Sequence, residues 1–268
     1  MDLGLKGKVA LVTGAGSQIG FGRAIAVTLA AEGCDVVVND VSLDGAKQTA
    51  AQVIALGRRA SAIRADVASS AEVSEMVRAA LAEFGQIDIL VNNAGIGSGG
   101  GPFVQTEEAA WDRLIGINFK GVLNCSKAVL PQMLARGSGK IVSIASGLGK
   151  SGGPNTAVYS ATKAAQIGFI EGLRAEFLGT GLHASVVYPV STETEFHEAL
   201  RRNFGRDVHP LGPRQSADEV ARAIVECVVS PRAEVYPLRS AWWLSLLSVA
   251  APAQADRVVQ KWGRKVQR

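Results

Sequence analysis

The 268-residue sequence predicts a single α/β domain, a doubly wound parallel sheet of about seven strands, followed by a helical C-terminal tail. Three observations predict it. Apolar, β-branched runs alternate with stretches of helical period, as βαβ units with right-handed crossovers require. Those runs lack the apolar–polar alternation of a half-exposed strand, so both faces of the sheet are covered. A glycine-rich turn, TGAGSQIGFGRA from Thr13, joins the first run to the first helix.

The elements follow in order. VALVT (9–13) is the first strand and a helix occupies about 22–32. DVVVND (35–40) is the second strand, with a helix near 44–56. ASAIRAD (60–66) is the third, with a helix near 70–84, and IDILVN (87–92) is the fourth. A long helix near 107–135 leads to KIVSIA (140–145), and a second near 157–178 leads to ASVVYP (184–189). A helix near 216–229 and a weaker strand, EVYP (234–237), close the alternation. No composition break precedes about residue 200 and no repeat is visible. Residues 1–239 therefore read as one domain and 240–268 as a tail.

Composition sets bounds. Apolar residues are 47% and charged residues 19% of the chain, the balance of a compact globular protein. Cys34, Cys125 and Cys227 are far apart, show no metal spacing and are odd in number, which predicts reduced thiols, no metal site and a cytoplasmic location. The start, MDLGLKGKVALVTG, lacks the basic region, apolar core and cleavage site of a signal peptide. The net charge of +4 sits in residues 256–268, where five basic side chains face Asp256. The body is neutral, so a nucleic-acid surface is not indicated.

A strand, glycine turn and helix aim backbone N–H groups and the positive helix end at one spot, which suits a pyrophosphate. Gly14, Gly16, Gly20 and Gly22 are the glycines of the turn. Asp40 ends the second strand, where a carboxylate accepts hydrogen bonds from ribose hydroxyls and repels a 2′-phosphate. No Arg or Lys precedes Arg23 in the turn or directly follows Asp40, which predicts NAD over NADP. A plainer reading of Asp40, as a turn or helix cap in NDVSLD, stays open.

Asn92-Asn93-Ala94-Gly95 ends the fourth strand, Ser146 follows the fifth, and YSATK places Tyr159 and Lys163 at i and i+4 on one helix face. Asn118 lies in INFKG within the preceding long helix. In NNAG, in the thirteen residues from Ser146 to Tyr159 and in YxxxK, the chain resembles the short-chain dehydrogenase/reductase family over residues 5 to about 235.

The resemblance implies a catalytic tetrad of Asn118, Ser146, Tyr159 and Lys163, with Asn118 holding a water that links Lys163 to solvent. It implies cofactor contacts from Gly14, Ser17, Gln18, Ile19 and Gly20 in the turn, with Asp40 on the ribose. Asp66 and Val67 would flank the adenine, Asn93, Ala94 and Gly95 would line the cofactor with Tyr159 and Lys163, and Pro189, Thr192 and Thr194 would lie toward the nicotinamide end.

These roles have a physical basis. A ketone accepts hydride readily only if charge on its oxygen is relieved as it forms. Tyr159 can give that oxygen a proton or remove one from an alcohol, and Ser146 can donate a hydrogen bond to it. A free phenol has a pKa near 10, and Lys163 one turn away together with the positive nicotinamide ring is expected to lower that value.

The chain also departs from the family. The common turn is TGxxxGxG. Here Gln18 occupies a glycine position when read from the left, while Gly20-Phe21-Gly22 opens the helix when read from the right, which keeps RAIA in register. Five residues separate Gly14 from Gly20, as in the divergent enoyl reductases, yet only three separate Tyr159 from Lys163. Pro189 is followed by Val190 rather than glycine. The tail, with Trp242 and Trp243 heading an apolar run to about residue 251, is unlike the family. It is too short to span a bilayer. It reads as a helix packed on the body or on another subunit, with a membrane-surface contact or a substrate lid as less favoured readings.

The expected activity is hydride transfer between NAD(H) and a secondary alcohol or ketone. Two alternatives are a catalytically silent NAD-binding sensor or scaffold, and a sugar-nucleotide epimerase, against which chain length and NNAG argue. Segments near 96–103, 147–155 and 190–212, the last with Phe196, His197 and Phe204, are expected to line the substrate pocket. A homodimer is expected through the helices near 107–135 and 157–178, and a homotetramer would add a second contact through the C-terminal region. The helix near 157–178 carries Ala164, Ala165, Ile167, Gly168, Ile170 and Leu173, more apolar surface than one sheet needs.

Overall fold

The computed structural model describes residues 3–97, 101–192 and 214–264. The first half alternates β1 (Val9–Val12), α1 (Phe21–Ala31), β2 (Asp35–Asp40), α2 (Leu43–Ala55), β3 (Ala60–Arg64), α3 (Ser70–Phe84) and β4 (Ile89–Asn92). The second half carries α4 (Glu108–Leu114), a π-helical turn (Ile115–Lys120), α5 (Gly121–Arg136), β5 (Gly139–Ile144), α6 (Leu148–Ser151), α7 (Ala157–Glu176) and β6 (Leu182–Val187). A short pair, β7 (Ser191–Thr192) and β8 (Arg214–Gln215), precedes α8 (Ala217–Val229) and β9 (Glu234–Val235). The tail forms α9 (Ala241–Ala250) and α10 (Pro252–Arg264).

The main sheet has seven parallel strands in the order β3-β2-β1-β4-β5-β6-β9. Successive residues of each strand feed opposite layers, as the two-residue period of a strand demands. Ala10 and Val12 pack with Ile25 and Leu29 of α1, Val53 of α2 and Ile224 of α8. Val9 and Leu11 pack with Met76 of α3, Val129 of α5 and Ile170 of α7. The uninterrupted apolar strands therefore serve two cores. Cys34, Cys125 and Cys227 are free thiols within them, and burial pushes Cys34 and Cys125 up to about 12.

Strand order reverses between β1 and β4, opening a crevice at their C-terminal ends, where parallel sheets bind ligands. The glycine turn follows β1, Asp40 ends β2 and NNAG follows β4, so the topology gathers all three there.

Two regions depart from expectation. The long helix near 107–135 is interrupted by the π turn, which contains Asn118. The tail is two helices that pack on each other and on α6. Pro252 starts the second of them, at a position where its missing N–H costs nothing. Among the described residues, no helix is long and apolar enough to cross a membrane.

Candidate active site

The glycine turn is braced from three sides. Gly14 has φ +63°, and a Cβ there would come within 2.6 Å of Ala94 Cα, so only glycine lets β1 and β4 end this close. From β4, Asn93 donates its side-chain amide to the carbonyls of Thr13 and Gly14 at 2.8 and 2.9 Å. Thr13 Oγ1 in turn accepts from the N–H groups of Asn93 and Ala94, both at 3.1 Å. From β2, Asp40 Oδ2 accepts from Gly16 N at 2.8 Å, while Oδ1 accepts from Ser42 N at 2.9 Å. The capping reading of Asp40 is thus realised, and each oxygen keeps a further lone pair for a ligand hydroxyl.

The third brace is α2. Thr49 Oγ1 donates to Ala15 O at 2.7 Å. Gln18 Nε2 donates to Gly16 O at 2.9 Å and to Gly45 O and Thr49 Oγ1 at 3.3 Å, and Gln18 Oε1 accepts from Gln52 at 2.9 Å. Gln18, expected on the cofactor, thus commits its side chain to α2. These bonds anchor the long turn to α2. α1 begins at Phe21 with Gly20 as its N-cap, the register of the right-hand reading. Ile19 is about half exposed, at 48%.

This turn fits a dinucleotide. No side chain caps α1 and no acid lies in its first turn, so its leading N–H groups remain available to an anion. Ser17 Oγ is buried without a hydrogen-bond partner among the described residues. Asp66 closes its own turn, its Oδ1 accepting from Ala68 N at 2.9 Å. The Val67 side chain is buried, and its carbonyl accepts from Asn124. One cation escaped the linear reading: Arg64 lies opposite Asp40 in the β2–β3 register, and its guanidinium pairs with Glu72 at 3.4 Å.

The tetrad converges at the ends of β4 and β5. Tyr159 and Ser146 share a side-chain hydrogen bond. Lys163, 5% exposed, donates from Nζ to Ile144 O at 2.8 Å and lies 5.9 Å from the Tyr159 ring centroid. A methyl group on Gly95 would sit 3.3 Å from Asn118 Oδ1 and 3.5 Å from Lys163 Nζ. Asn118 is fully buried. Its Oδ1 accepts from Ile96 N at 2.8 Å, and its Nδ2 donates to Ile96 O at 2.9 Å and Thr162 Oγ1 at 3.2 Å. Its main-chain carbonyl, within the π turn, accepts from Gln166 Nε2.

In the protein without cofactor the Tyr159 phenol is pushed up to about 12, because burial outweighs the Ser146 hydrogen bond. Burial likewise pulls Lys163 down to about 7.

Pro189 follows β6, and its carbonyl accepts from Gly147 N at 3.4 Å. The backbone of Thr192 lies in β7, while Thr194 and the Phe196, His197 and Phe204 segment lie outside the described residues. Thr13 opens the TGxxxGxG turn but carries no role in the linear reading, which also misses Gly45, Thr49 and Gln166; these three belong to no motif, and only an amide at a core-facing position of α7 signals Gln166.

A third cluster ties the turn carrying Ser146 to the tail. Glu234 Oε1 pairs with Lys150 Nζ at 2.8 Å and accepts from Tyr188 at 3.1 Å, while Oε2 accepts from Tyr236 at 3.0 Å. Tyr236 also hydrogen-bonds Ser245 of α9. The Tyr188 and Tyr236 rings stack at 4.7 Å.

Residues 8–204 match the family model described as short chain dehydrogenase. A 3-oxoacyl-acyl-carrier-protein reductase of Synechocystis is 38% identical over 230 residues, 85% of this chain and 92% of that protein. The enzyme of that name from Staphylococcus epidermidis is 41% identical over 194 residues, 72% of this chain and 78% of that protein. A solved short chain dehydrogenase/reductase from Burkholderia phymatum, in complex with NAD, superposes with a TM-score of 0.84 at 28% identity, covering 94% of this chain and 96% of that one. A metagenomic short-chain oxidoreductase in complex with NADP gives 0.73 at 28% identity, covering 86% and 96%. Levodione reductase gives 0.78 at 30% identity, with the same coverage.

Proposed function

The chain belongs to the short-chain dehydrogenase family of oxidoreductases, and from that premise we propose that it transfers hydride between NAD(H) and a secondary alcohol or ketone, with Tyr159 as general acid and base. The observation that carries the reading is the Tyr159–Ser146 hydrogen bond, backed by buried Lys163, beside a crevice ending at Asp40. The relatives' names support a ketone, since 3-oxoacyl chains and levodione both carry one.

A bound nicotinamide supplies or takes up the hydride. The uncapped N-terminus of α1 and Ser17 would hold the diphosphate, Asp40 the adenosine ribose, and Lys163 the nicotinamide ribose. Ser146 donates to the substrate oxygen, fixing it beside the phenol. In reduction, the Tyr159 hydroxyl passes its proton to that oxygen as charge develops, and a phenol held protonated by burial is suited to donate. In oxidation, Tyr159 must be deprotonated, and protonated Lys163 one turn away stabilises the phenolate. Asn118 acts indirectly, holding the NNAG turn through Ile96.

NAD preference rests on Asp40, whose carboxylate repels a 2′-phosphate, and on Arg64 being neutralised by Glu72. We also propose a homodimer through α5 and α7. Ile167, Ile170 and Leu173 turn to the sheet, while Ala161, Ala164, Gly168, Gly172 and Ala175 are exposed along α7. The test is NADH formation with a panel of secondary alcohols, run beside Tyr159→Phe. A silent sensor would bind NADH and form none.

A further inference from the structure

Gln166 is 1% exposed, and both ends of its amide reach the site. Nε2 donates to the main-chain carbonyl of Asn118, and Oε1 accepts from Lys163 Nζ at 3.4 Å. A buried amide is costly unless its groups are paired. The pairing here explains how α7 buries an amide at this position, between the buried Thr162 and Lys163 and the apolar Ile167, Ile170 and Leu173. It also ties α7 to the π turn, since the Asn118 carbonyl within that turn accepts from Gln166 Nε2.

We propose that Gln166 is a positioning residue: its amide bridges the main-chain carbonyl of Asn118 to Lys163 Nζ and holds the lysine beside Tyr159.

The bridge has two consequences. Oε1 presents negative density to Nζ and favours its protonated form. The amide also joins the π turn to α7, so Asn118, Ile96 and Lys163 keep one spacing. The other groups around Lys163 are the Ile144 carbonyl from β5, Gly95 after β4, Asn118 from the π turn, Gly149 from α6 and Tyr159 from its own helix. No charged side chain among the described residues contributes to the lysine's shift, which comes from burial. A neutral amide is thus the acceptor left to tune it beside the Ile144 carbonyl.

The catalytic consequence rests on the reading proposed above, but the bridge itself is tested without substrate or cofactor. The protein is labelled with 13C at lysine Cε and titrated by NMR, with Lys163→Met identifying the resonance. In Gln166→Leu the Lys163 midpoint should fall by about half a pH unit or more, since an acceptor is lost. In Gln166→Glu, which keeps the shape and adds charge, it should rise above that of the unaltered protein. If both variants titrate like the unaltered protein, or both move the same way, the bridge is overturned. Should Gln166→Leu fail to fold, Gln166→Glu alone decides by the sign of its shift. Activity is read separately through Tyr159→Phe, so loss of the bridge and loss of the dehydrogenase reading give different results.

Discussion

The main-chain N–H of Gly16 donates to Asp40 Oδ2 at 2.8 Å, and a Cβ on Gly16 would sit 2.7 Å from the Asp40 carboxyl carbon. One carboxylate therefore both braces the glycine turn and presents charge at its rim. Asp40→Ala removes both. NAD should be used at least about tenfold more efficiently than NADP by the unaltered protein, a gap of about 1.4 kcal/mol. Asp40→Ala should narrow that gap and cost about 1 kcal/mol of stability through the lost hydrogen bonds. Steady-state kinetics with both cofactors and urea denaturation measure the two effects. NADP used as well as NAD by the unaltered protein would refute the assignment.

Tyr159→Phe keeps the ring and removes the proton. Turnover should fall by about a hundredfold or more, the scale of lost general acid–base catalysis. NADH affinity, read by fluorescence titration, should stay within a fewfold. Retention of most activity would move the proton-transfer role elsewhere.

Lys163 stands at about 7 against an ordinary 10.5. Between those values the unfolded chain binds a proton the folded protein lacks, so Lys163 makes stability rise with pH across that window. Its cost is fully present below pH 7. Tyr159, raised from 10 to about 12, acts oppositely and makes stability fall from about pH 10 upward. Lys163→Met should therefore stabilise the cofactor-free protein near pH 6 by up to a few kcal/mol and flatten the rise between pH 7 and 10. Urea midpoints at stepped pH read this, and an unchanged slope would show that the lysine is not held neutral by burial.

Gly168 lies on the exposed side of α7, and a methyl group added to it would meet nothing within 4 Å. Arginine there fits the monomer and, as a better helix former than glycine, leaves the fold intact. Light scattering should report a dimer for the unaltered protein and a monomer for Gly168→Arg. A monomer in both would remove α7 as an interface.

Truncation after Arg239 removes α9 and α10, which cover α6, and the Tyr236–Ser245 contact. The truncated protein should melt lower and show a raised KM for substrate, because α6 continues the turn carrying Ser146. KM for NAD should change little, since the glycine turn and Asp40 lie at the opposite side of the sheet. An unchanged substrate KM would reduce the tail to an independent appendage.

The sequence by itself determined the seven-strand order of alternation, the glycine turn at the end of β1 and the pairing of Tyr159 with Lys163. Each depends on local pattern within one element or between neighbours: unbroken apolar runs for strands buried on both faces, four residues per helical turn, a glycine where φ is positive. Tertiary structure decided the rest. Gln18 meets α2 across about thirty positions of chain, Gln166 meets the Asn118 carbonyl because α7 packs on a π turn, and Glu234 gathers Lys150 from α6 and the tyrosines that follow β6 and β9. Protonation was decided there too, because a phenol or ammonium takes its pKa from the water it loses on burial, and spacing along the chain does not record burial.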